Sequence, residues 1–267
     1  MKEARHGSGV AIVTGAAGGI GSKCAELLAE NGWQELILCG RDNPSLQMIA
    51  ELLRANGSKI STLGADITDL QFPARLLEGL GAREISAFVH VAGVSHLAER
   101  DQIFEINLDA SLRLLEAVKP RMAEYGAAVL FASLAGHLPV SAQADAAFDR
   151  PIPAQGSASL RHFASNSQEA YFLSKRAIIA TVKREAKAFG ERKARIVSVS
   201  PGLIDTVMTQ GAQNEIGARL VAGAAVPRLG RPEEVAEACV FLCSSAASFI
   251  TGSDLKVDGG QFAGLGI

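Results

Sequence analysis

The sequence predicts an α/β fold, a doubly wound parallel sheet of seven strands flanked by helices. Three observations carry this. Short runs dense in Val, Ile and Leu recur along the chain without polar alternation, as strands buried on both faces do. Stretches of helical periodicity separate these runs, which calls for right-handed crossovers between parallel strands. The first run also passes straight into a glycine-rich turn that opens a helix.

The strand runs are "VAIVTG" (10–15), "ELILCG" (35–40), "SKISTLGAD" (58–66), "ISAFVHVAG" (85–93), "AAVLFAS" (127–133), "ARIVSVSPG" (194–202) and "DLKVDGG" (254–260). Helices are expected at about 19–31, 45–55, 69–80, 101–124, 168–189 and 232–244. The last opens on Pro232 with Glu233 and Glu234 beside it, all favourable at a helix start. No internal repeat, low-complexity tract or interdomain linker appears, so one dinucleotide-binding and catalytic domain over 1–267 is expected. One segment breaks the rhythm. Residues 134–167 carry three prolines and many small or polar residues without a sustained period. A loop of that length is either functional or a tolerated surface insertion.

Composition narrows the function classes. Hydrophobic residues make up 48% and charged residues 20%, the balance of a soluble globular chain. The formal net charge is −2 and no basic block occurs, which argues against a nucleic-acid surface or a polybasic membrane anchor. "MKEARHGSGV" has no apolar signal core and no run reaches membrane-spanning length. Cys24, Cys39, Cys239 and Cys243 form neither a zinc-ligand pattern nor a disulfide framework. Reduced thiols packed in the core of a cytoplasmic protein are expected, with no metal site.

The first strand turn points to a ligand. Thr14, Gly15, Gly19 and Gly21 form T-G-x-x-x-G-x-G where strand hands over to helix. Gly15 permits the tight turn, and Gly19 and Gly21 let backbone approach a pyrophosphate and helix pack on strand. The helix start offers free N–H groups and a positive dipole end to phosphates. A dinucleotide on a Rossmann-type sheet is the expected ligand. At the end of the second strand, "LCGRDN", Gly40 stands where an NAD-selective site has an acid, and Arg41 follows. A guanidinium grips a 2′-phosphate, so NADP(H) is preferred. The alternative is a solvated Arg41 with Asp42 serving NAD(H). Asp66 in "GADITD" can bond an adenine amino group, with Ile67 beside the ring, or cap a helix.

Further on, "FEINLDA" holds Asn107, "LFASLAG" holds Ser133, and "AYFLSK" places Tyr171 and Lys175 one helical turn apart. The chain has only two tyrosines, and Tyr125 has Val129 at the matching offset. With "SPGLIDT" (200–206) and the closing "FITGSDLKVDGG" (249–260), these segments resemble the short-chain dehydrogenase/reductase family over nearly the whole chain.

That resemblance implies an enzyme with Asn107, Ser133, Tyr171 and Lys175 as its catalytic residues. Tyr171 would exchange the proton at the carbonyl oxygen, and a nearby ammonium is expected to lower its pKa from about 10. Lys175 would supply that charge and hold the nicotinamide ribose. Ser133 would orient the substrate oxygen, and Asn107 would hold a water linking Lys175 to solvent. The resemblance also assigns Ile20, Ala92, Gly93, Pro201, Gly202 and Thr206 to the cofactor. It makes residues 205–226 a substrate lid, with Val207, Met208, Ile216 and Leu220 as pocket lining or helix core.

Two departures from the family pattern matter. "HVAG" stands where the family has two asparagines, and His90 reads as a buried strand residue rather than a base, since no partner acid is identifiable. Ser133 and Tyr171 are also unusually far apart because of the 134–167 segment. This looks like the subset that includes bacterial 3α-hydroxysteroid dehydrogenase/carbonyl reductases, and a homodimer or homotetramer is expected. The expected activity is an NADP(H)-dependent carbonyl reductase/alcohol dehydrogenase acting on a hydrophobic ketone or secondary alcohol, alicyclic or steroid-like. One rival is a 3-oxoacyl-thioester reductase using basic rim residues, for which Arg121, Arg161 and Arg228 are candidates. Another is a non-catalytic dinucleotide sensor.

Overall fold

The computed structural model describes residues 9–41, 44–149, 156–210 and 215–266. Seven parallel strands form one sheet in the order β3-β2-β1-β4-β5-β6-β7. They are β1 (Val10–Thr14), β2 (Glu35–Gly40), β3 (Lys59–Gly64), β4 (Ile85–His90), β5 (Met122–Phe131), β6 (Arg195–Pro201) and β7 (Asp254–Val257). The strand order reverses between β1 and β4, which opens a crevice at their carboxyl ends, where ligands of such sheets bind.

Helices cover both faces. On one side α1 (Gly19–Glu30), α2 (Pro44–Ala55) and α10 (Pro232–Cys243) bury Cys24, Leu28, Leu46, Val235 and Cys239 against the sheet together with Trp33. On the other, α3 (Phe72–Leu80), α4 (Arg100–Phe104), α5 (Ser111–Val118) and α7 (Ser167–Glu191) bury Phe72, Phe104, Leu115 and Phe189. All four cysteines are free thiols in this core. Helix α10 starts as its sequence predicts: Pro232 occupies the first turn and Glu234 Oε2 accepts the Arg231 N–H at 2.8 Å. Among the described residues no helix is long and apolar enough to cross a membrane.

One expected helix is not continuous. The 101–124 stretch divides into α4, a π-helical turn (Glu105–Ala110), α5 and a 3-10 turn (Lys119–Arg121), and β5 begins already at Met122. Pro120 ends the helix because it cannot extend the hydrogen-bond ladder. Met122 then pairs with Ile85, the register slips between Ile85 and Ala87, and Tyr125 takes a φ of 65° to let the strand resume at Ala127. The apolar Met122 and Ala123 belong to the strand, beyond the Lys119–Arg121 interruption.

The described parts of the 134–167 segment are ordered by clamps rather than by a core of their own. A 3-10 turn (Leu134–His137) leads to α6 (Ala142–Ala147), which docks on α7 through Arg176. That guanidinium bonds Asp145 and the Gly136 carbonyl and lies 5.8 Å from the Phe148 ring centroid. The far end is held at Asp109, a buried carboxylate in the π-turn. It accepts the Ser157 N–H at 2.6 Å, the Ser157 hydroxyl at 2.9 Å and Arg161 Nη2 at 3.0 Å. Gly156 is required beside it, since its φ is 123° and a Cβ would lie 2.7 Å from Asp109 Oδ1. Of the 205–226 segment, α8 (Val207–Gln210) and α9 (Glu215–Ala222) are described. A short α11 (Gln261–Gly264) follows β7.

Removing one partner of a buried, hydrogen-bonded ion pair strands the others. Asp109→Ala should therefore lower unfolding stability by about 2–4 kcal/mol, read as a shifted urea midpoint. An unshifted midpoint would mean that the segment is not anchored at Asp109.

Candidate active site

The glycine turn is built by backbone crowding. Gly15 follows β1 with a φ of 70°, and a Cβ there would lie 2.9 Å from Ala92 N. A Cβ at Gly21 would overlap the Gly15 carbonyl, so α1 can sit this close to β1 only without a side chain. Gly19, with a φ of 55°, is less crowded: a Cβ there would only touch Thr206, at 3.5 Å from Cγ2. The α1 N-terminus has no side-chain cap and no acidic residue in its first turn. Uncapped N–H groups at a positive dipole end, beside a glycine cradle, fit a pyrophosphate. Ile20 is half-buried in the first turn of α1, against the core.

Arg41 is exposed at the end of β2. Hydrogen bonds from the Thr68 N–H and hydroxyl, with a smaller contribution from the Arg41 charge, hold the Asp66 carboxyl below the usual range. The Thr68 bonds measure 2.9 and 2.7 Å and close a local turn, while α3 starts only at Phe72. Asp66 therefore does not cap α3. Ile67 packs half-buried against the core next to it. Asp42 lies outside the described residues.

Asn107 sits in the π-turn, and its side chain leaves the helix. Its Oδ1 accepts the Val94 N–H at 2.8 Å and its Nδ2 donates to the Val94 carbonyl at 3.0 Å. It thus pins the backbone that follows Ala92 and Gly93. A Cβ on Gly93 would lie 3.0 Å from Asn107 Oδ1 and 3.4 Å from Lys175 Nζ, so glycine lets the two groups approach each other.

Ser133 ends β5 and caps the 3-10 turn, its Oγ accepting the Ala135 N–H at 3.2 Å. That turn lies flat on α7: a Cβ at Gly136 would come within 2.9 Å of the Lys175 backbone. Asn166 fixes the start of α7 by accepting the Glu169 N–H at 2.9 Å, one turn before Tyr171. The result brings Ser133 into hydrogen-bonding contact with the Tyr171 hydroxyl. Lys175 Nζ donates to the Phe131 carbonyl at 3.0 Å and stands 5.9 Å from the Tyr171 ring centroid. The residues expected to act together are together.

The electrostatics differ from expectation in one respect. Burial raises the Tyr171 pKa, and the Ser133 hydrogen bond only partly opposes it. Burial also pulls Lys175 down to about 8. The expected lowering of the phenol by its lysine is not realised: the cost of desolvating a phenolate dominates, and what opposes it is the Ser133 hydrogen bond.

Pro201 and Gly202 close β6, and Gly202 must be glycine because Gln261 and Asp258 press against it. Leu203 N–H donates to Gln261 Oε1 at 2.8 Å, which ties this turn to α11. In the 205–226 segment Val207, Met208 and Ile216 are exposed. One histidine gained significance only from the fold. His96 stands edge-on to Tyr171 at 6.2 Å between ring centroids, and its place three residues after Gly93 was the available signal. His90 is buried between Thr14 and Ser111, which agrees with its reading as a strand residue.

Residues 9–145 match the short chain dehydrogenase family and residues 156–261 match Enoyl-(Acyl carrier protein) reductase. A cis-4-hydroxycyclohexanecarboxylate dehydrogenase of Sinomonas cyclohexanicum is 30% identical over 95% of this chain and 96% of its own. The 3-oxoacyl-(acyl-carrier-protein) reductase of Escherichia coli (strain K12) is 29% identical over 95% of this chain and 97% of its own. A short-chain dehydrogenase/reductase structure from Mycobacterium ulcerans superposes with a TM-score of 0.77 at 25% identity, covering 96% of this chain and 90% of that one. A glucose/ribitol dehydrogenase-type structure from Brucella melitensis gives 0.74 at 27% identity, covering 94% and 96%. These matches show that the chain belongs to the short-chain dehydrogenase/reductase family, and is an NAD(P)-dependent oxidoreductase.

Proposed function

We propose that this enzyme is an NADP(H)-dependent carbonyl reductase/alcohol dehydrogenase for hydrophobic ketones and secondary alcohols, with alicyclic carbonyls the leading substrate class. The observation that carries the chemistry is the meeting of Ser133, Tyr171 and Lys175 beside Gly93. The dinucleotide supplies or accepts the hydride. Ser133 and Tyr171 hydrogen-bond the substrate oxygen, and Tyr171 gives it a proton in reduction or removes one in oxidation. Lys175 steadies the phenolate left behind, and Asn107 keeps the Gly93 backbone and Lys175 in place. Thr206 and the α1 N-terminus take the phosphates.

Three observations support the substrate class. Val207, Met208 and Ile216 offer apolar surface on the lid segment. The similar protein from Sinomonas cyclohexanicum is a dehydrogenase of an alicyclic alcohol. The basic residues that an acyl-carrier partner would use are engaged elsewhere: Arg161 with Asp109, Arg228 with Glu234, and Arg121 with the Gly81 and Arg83 carbonyls. For the cofactor, Arg41 is exposed at the β2 end and Gly40 places no carboxylate there to repel a 2′-phosphate.

Measured as NADPH oxidation with a panel of cyclic ketones, Tyr171→Phe should lower kcat about 10²–10⁴-fold with the fold intact. A variant as active as wild type would remove Tyr171 from the chemistry, and a wild type binding NADPH but reducing nothing would favour the sensor. Arg41→Ala should weaken NADPH binding by about 1–3 kcal/mol and leave NADH binding nearly unchanged. Equal losses for both would sink the NADP assignment.

Lys175 yields a stability prediction of definite sign. Its native pKa of about 8 lies below the ordinary lysine value of 10.5, so between these values the unfolded chain binds more protons and stability rises with pH. Lys175→Met should then be inactive yet more stable than wild type at neutral pH, by on the order of 1–3 kcal/mol. The gain should shrink as pH climbs through that window, which urea titrations at several pH values would read.

A further inference from the structure

Behind the proposed catalytic residues runs a hydrogen-bond chain that the chemistry above does not use. His90 ends β4 and is 3% exposed. Its Nδ1 lies 2.8 Å from Thr14 Oγ1, and its Nε2 lies 2.7 Å from Ser111 Oγ. The two ends of the chain fix its direction. Ala92 N–H donates to Thr14 Oγ1 at 3.2 Å, and the Ser111 hydroxyl donates to the Asn107 carbonyl at 3.0 Å.

A hydroxyl has a single proton to give. With the Ser111 proton committed to Asn107, Ser111 Oγ accepts from His90 Nε2–H. His90 Nδ1 is then the acceptor for the Thr14 hydroxyl. One neutral tautomer satisfies every donor and acceptor along the path from Ala92 to Asn107. An imidazolium would confront the Thr14 hydroxyl with a second N–H, and burial together with the nearby Lys175 charge holds the His90 pKa down at about 3.

What the chain joins gives it meaning. At one end Ala92 N presses on Gly15, in the dinucleotide turn. At the other is the Asn107 carbonyl, inside a π-turn, where the helical ladder is shifted and an extra donor is useful. Ser111 Oγ also reaches the Ile106 carbonyl at 3.4 Å. The Asn107 side chain in turn holds Val94, two residues beyond Ala92, so the loop closes on itself.

We propose that His90 is a positioning residue for hydride transfer, its neutral Nε2–H imidazole tying the Asn107 π-turn to the Thr14–Ala92 edge of the dinucleotide turn. Asn107 and Lys175 are thereby held against Gly93 at the spacing the reaction needs. The role rests on the reading of the active site given above.

The test combines steady-state kinetics of ketone reduction with nitrogen NMR of the wild-type histidines. His90→Leu and Ser111→Ala should each lower kcat about tenfold with KM changed less than about twofold. The double variant should be no worse than the poorer single, because both cut one chain. His90→Gln, which keeps an amide donor near the Nε2 position, should return to within about threefold of wild type. NMR should find His90 neutral and protonated on Nε2 from about pH 5 to 8, a measurement that needs no variant to fold. A protonated Nδ1, losses that multiply, or equal loss in His90→Leu and His90→Gln would overturn the proposal. Unchanged kcat in both single variants beside Tyr171-dependent turnover would end the positioning role and leave the active-site reading intact. A wild type without Tyr171-dependent turnover would end both.

Discussion

The close approach of three backbone segments, at Gly15, Gly21 and Ala92, is the constraint from which the rest of the site follows. A single methyl group at Gly21 would overlap the Gly15 carbonyl, and one at Gly15 would press on Ala92 N. With none there, α1 starts directly over the end of β1, and the ends of β1 and β4 meet at the reversal of strand order. That contact opens the crevice and aims the uncapped α1 N-terminus into it. It also sets how far Gly93 projects, and hence how near Asn107 and Lys175 can come to each other.

The second organising element is the π-turn at Glu105–Ala110, because two unrelated demands converge on it. Asn107 faces Gly93 and holds Val94. Asp109, two residues later, faces away and anchors the 156–161 stretch through Ser157 and Arg161. A regular helix advances about 100° per residue, which already separates these directions. The π-turn adds a local widening that the Ser111 hydroxyl then satisfies. The long segment before Tyr171 is therefore fastened to the same turn that carries Asn107. Its other fastening, Arg176, adjoins Lys175 on α7. A change in the segment would reach the site through both attachments.

Much of this was legible in the sequence, and the legible part has a common physical character. Strand runs, the glycine turn and the Tyr171–Lys175 spacing are local patterns whose meaning depends on period or backbone freedom. The sheet and its parallel sense followed from them, whereas the grouping of Ser133, Tyr171, Lys175 and Asn107 came from the resemblance to the short-chain dehydrogenase/reductase family. Features requiring knowledge of distant neighbours were not legible. The helix break is marked in the sequence by Lys119, Pro120 and Arg121, but the apolar Met122 and Ala123 that follow allow the helix to be carried past it, since their pairing in β5 depends on distant Ile85. The capping alternative for Asp66 falls only when α3 is seen to start six residues later. The partners of His90 lie 76 and 21 positions away, so no local pattern could disclose them. The pKa of Tyr171 depended on how deeply α7 is buried, a quantity that spacing does not carry.

The charges left at the centre of the site make a coherent electrostatic case. Lys175 is buried, its hydrogen-bond acceptor is the Phe131 carbonyl, and burial alone accounts for its depressed pKa. No carboxylate offsets that burial among the described residues. His90, close by, stays neutral and so adds no second positive charge. Tyr171 is held as a neutral phenol until something nearby favours its anion. A buried cation without a counterion is costly, and a protein that only needed stability would have an apolar residue there. On the proposed chemistry, the same deficit of negative charge suits the site to a phenolate at Tyr171 and to an anionic dinucleotide. A carboxylate partner for Lys175 would relieve the burial cost and remove that advantage. The sequence of neutral groups around Lys175, with Phe131 supplying a carbonyl and His90 an uncharged imidazole, keeps the lysine electrostatically available to Tyr171.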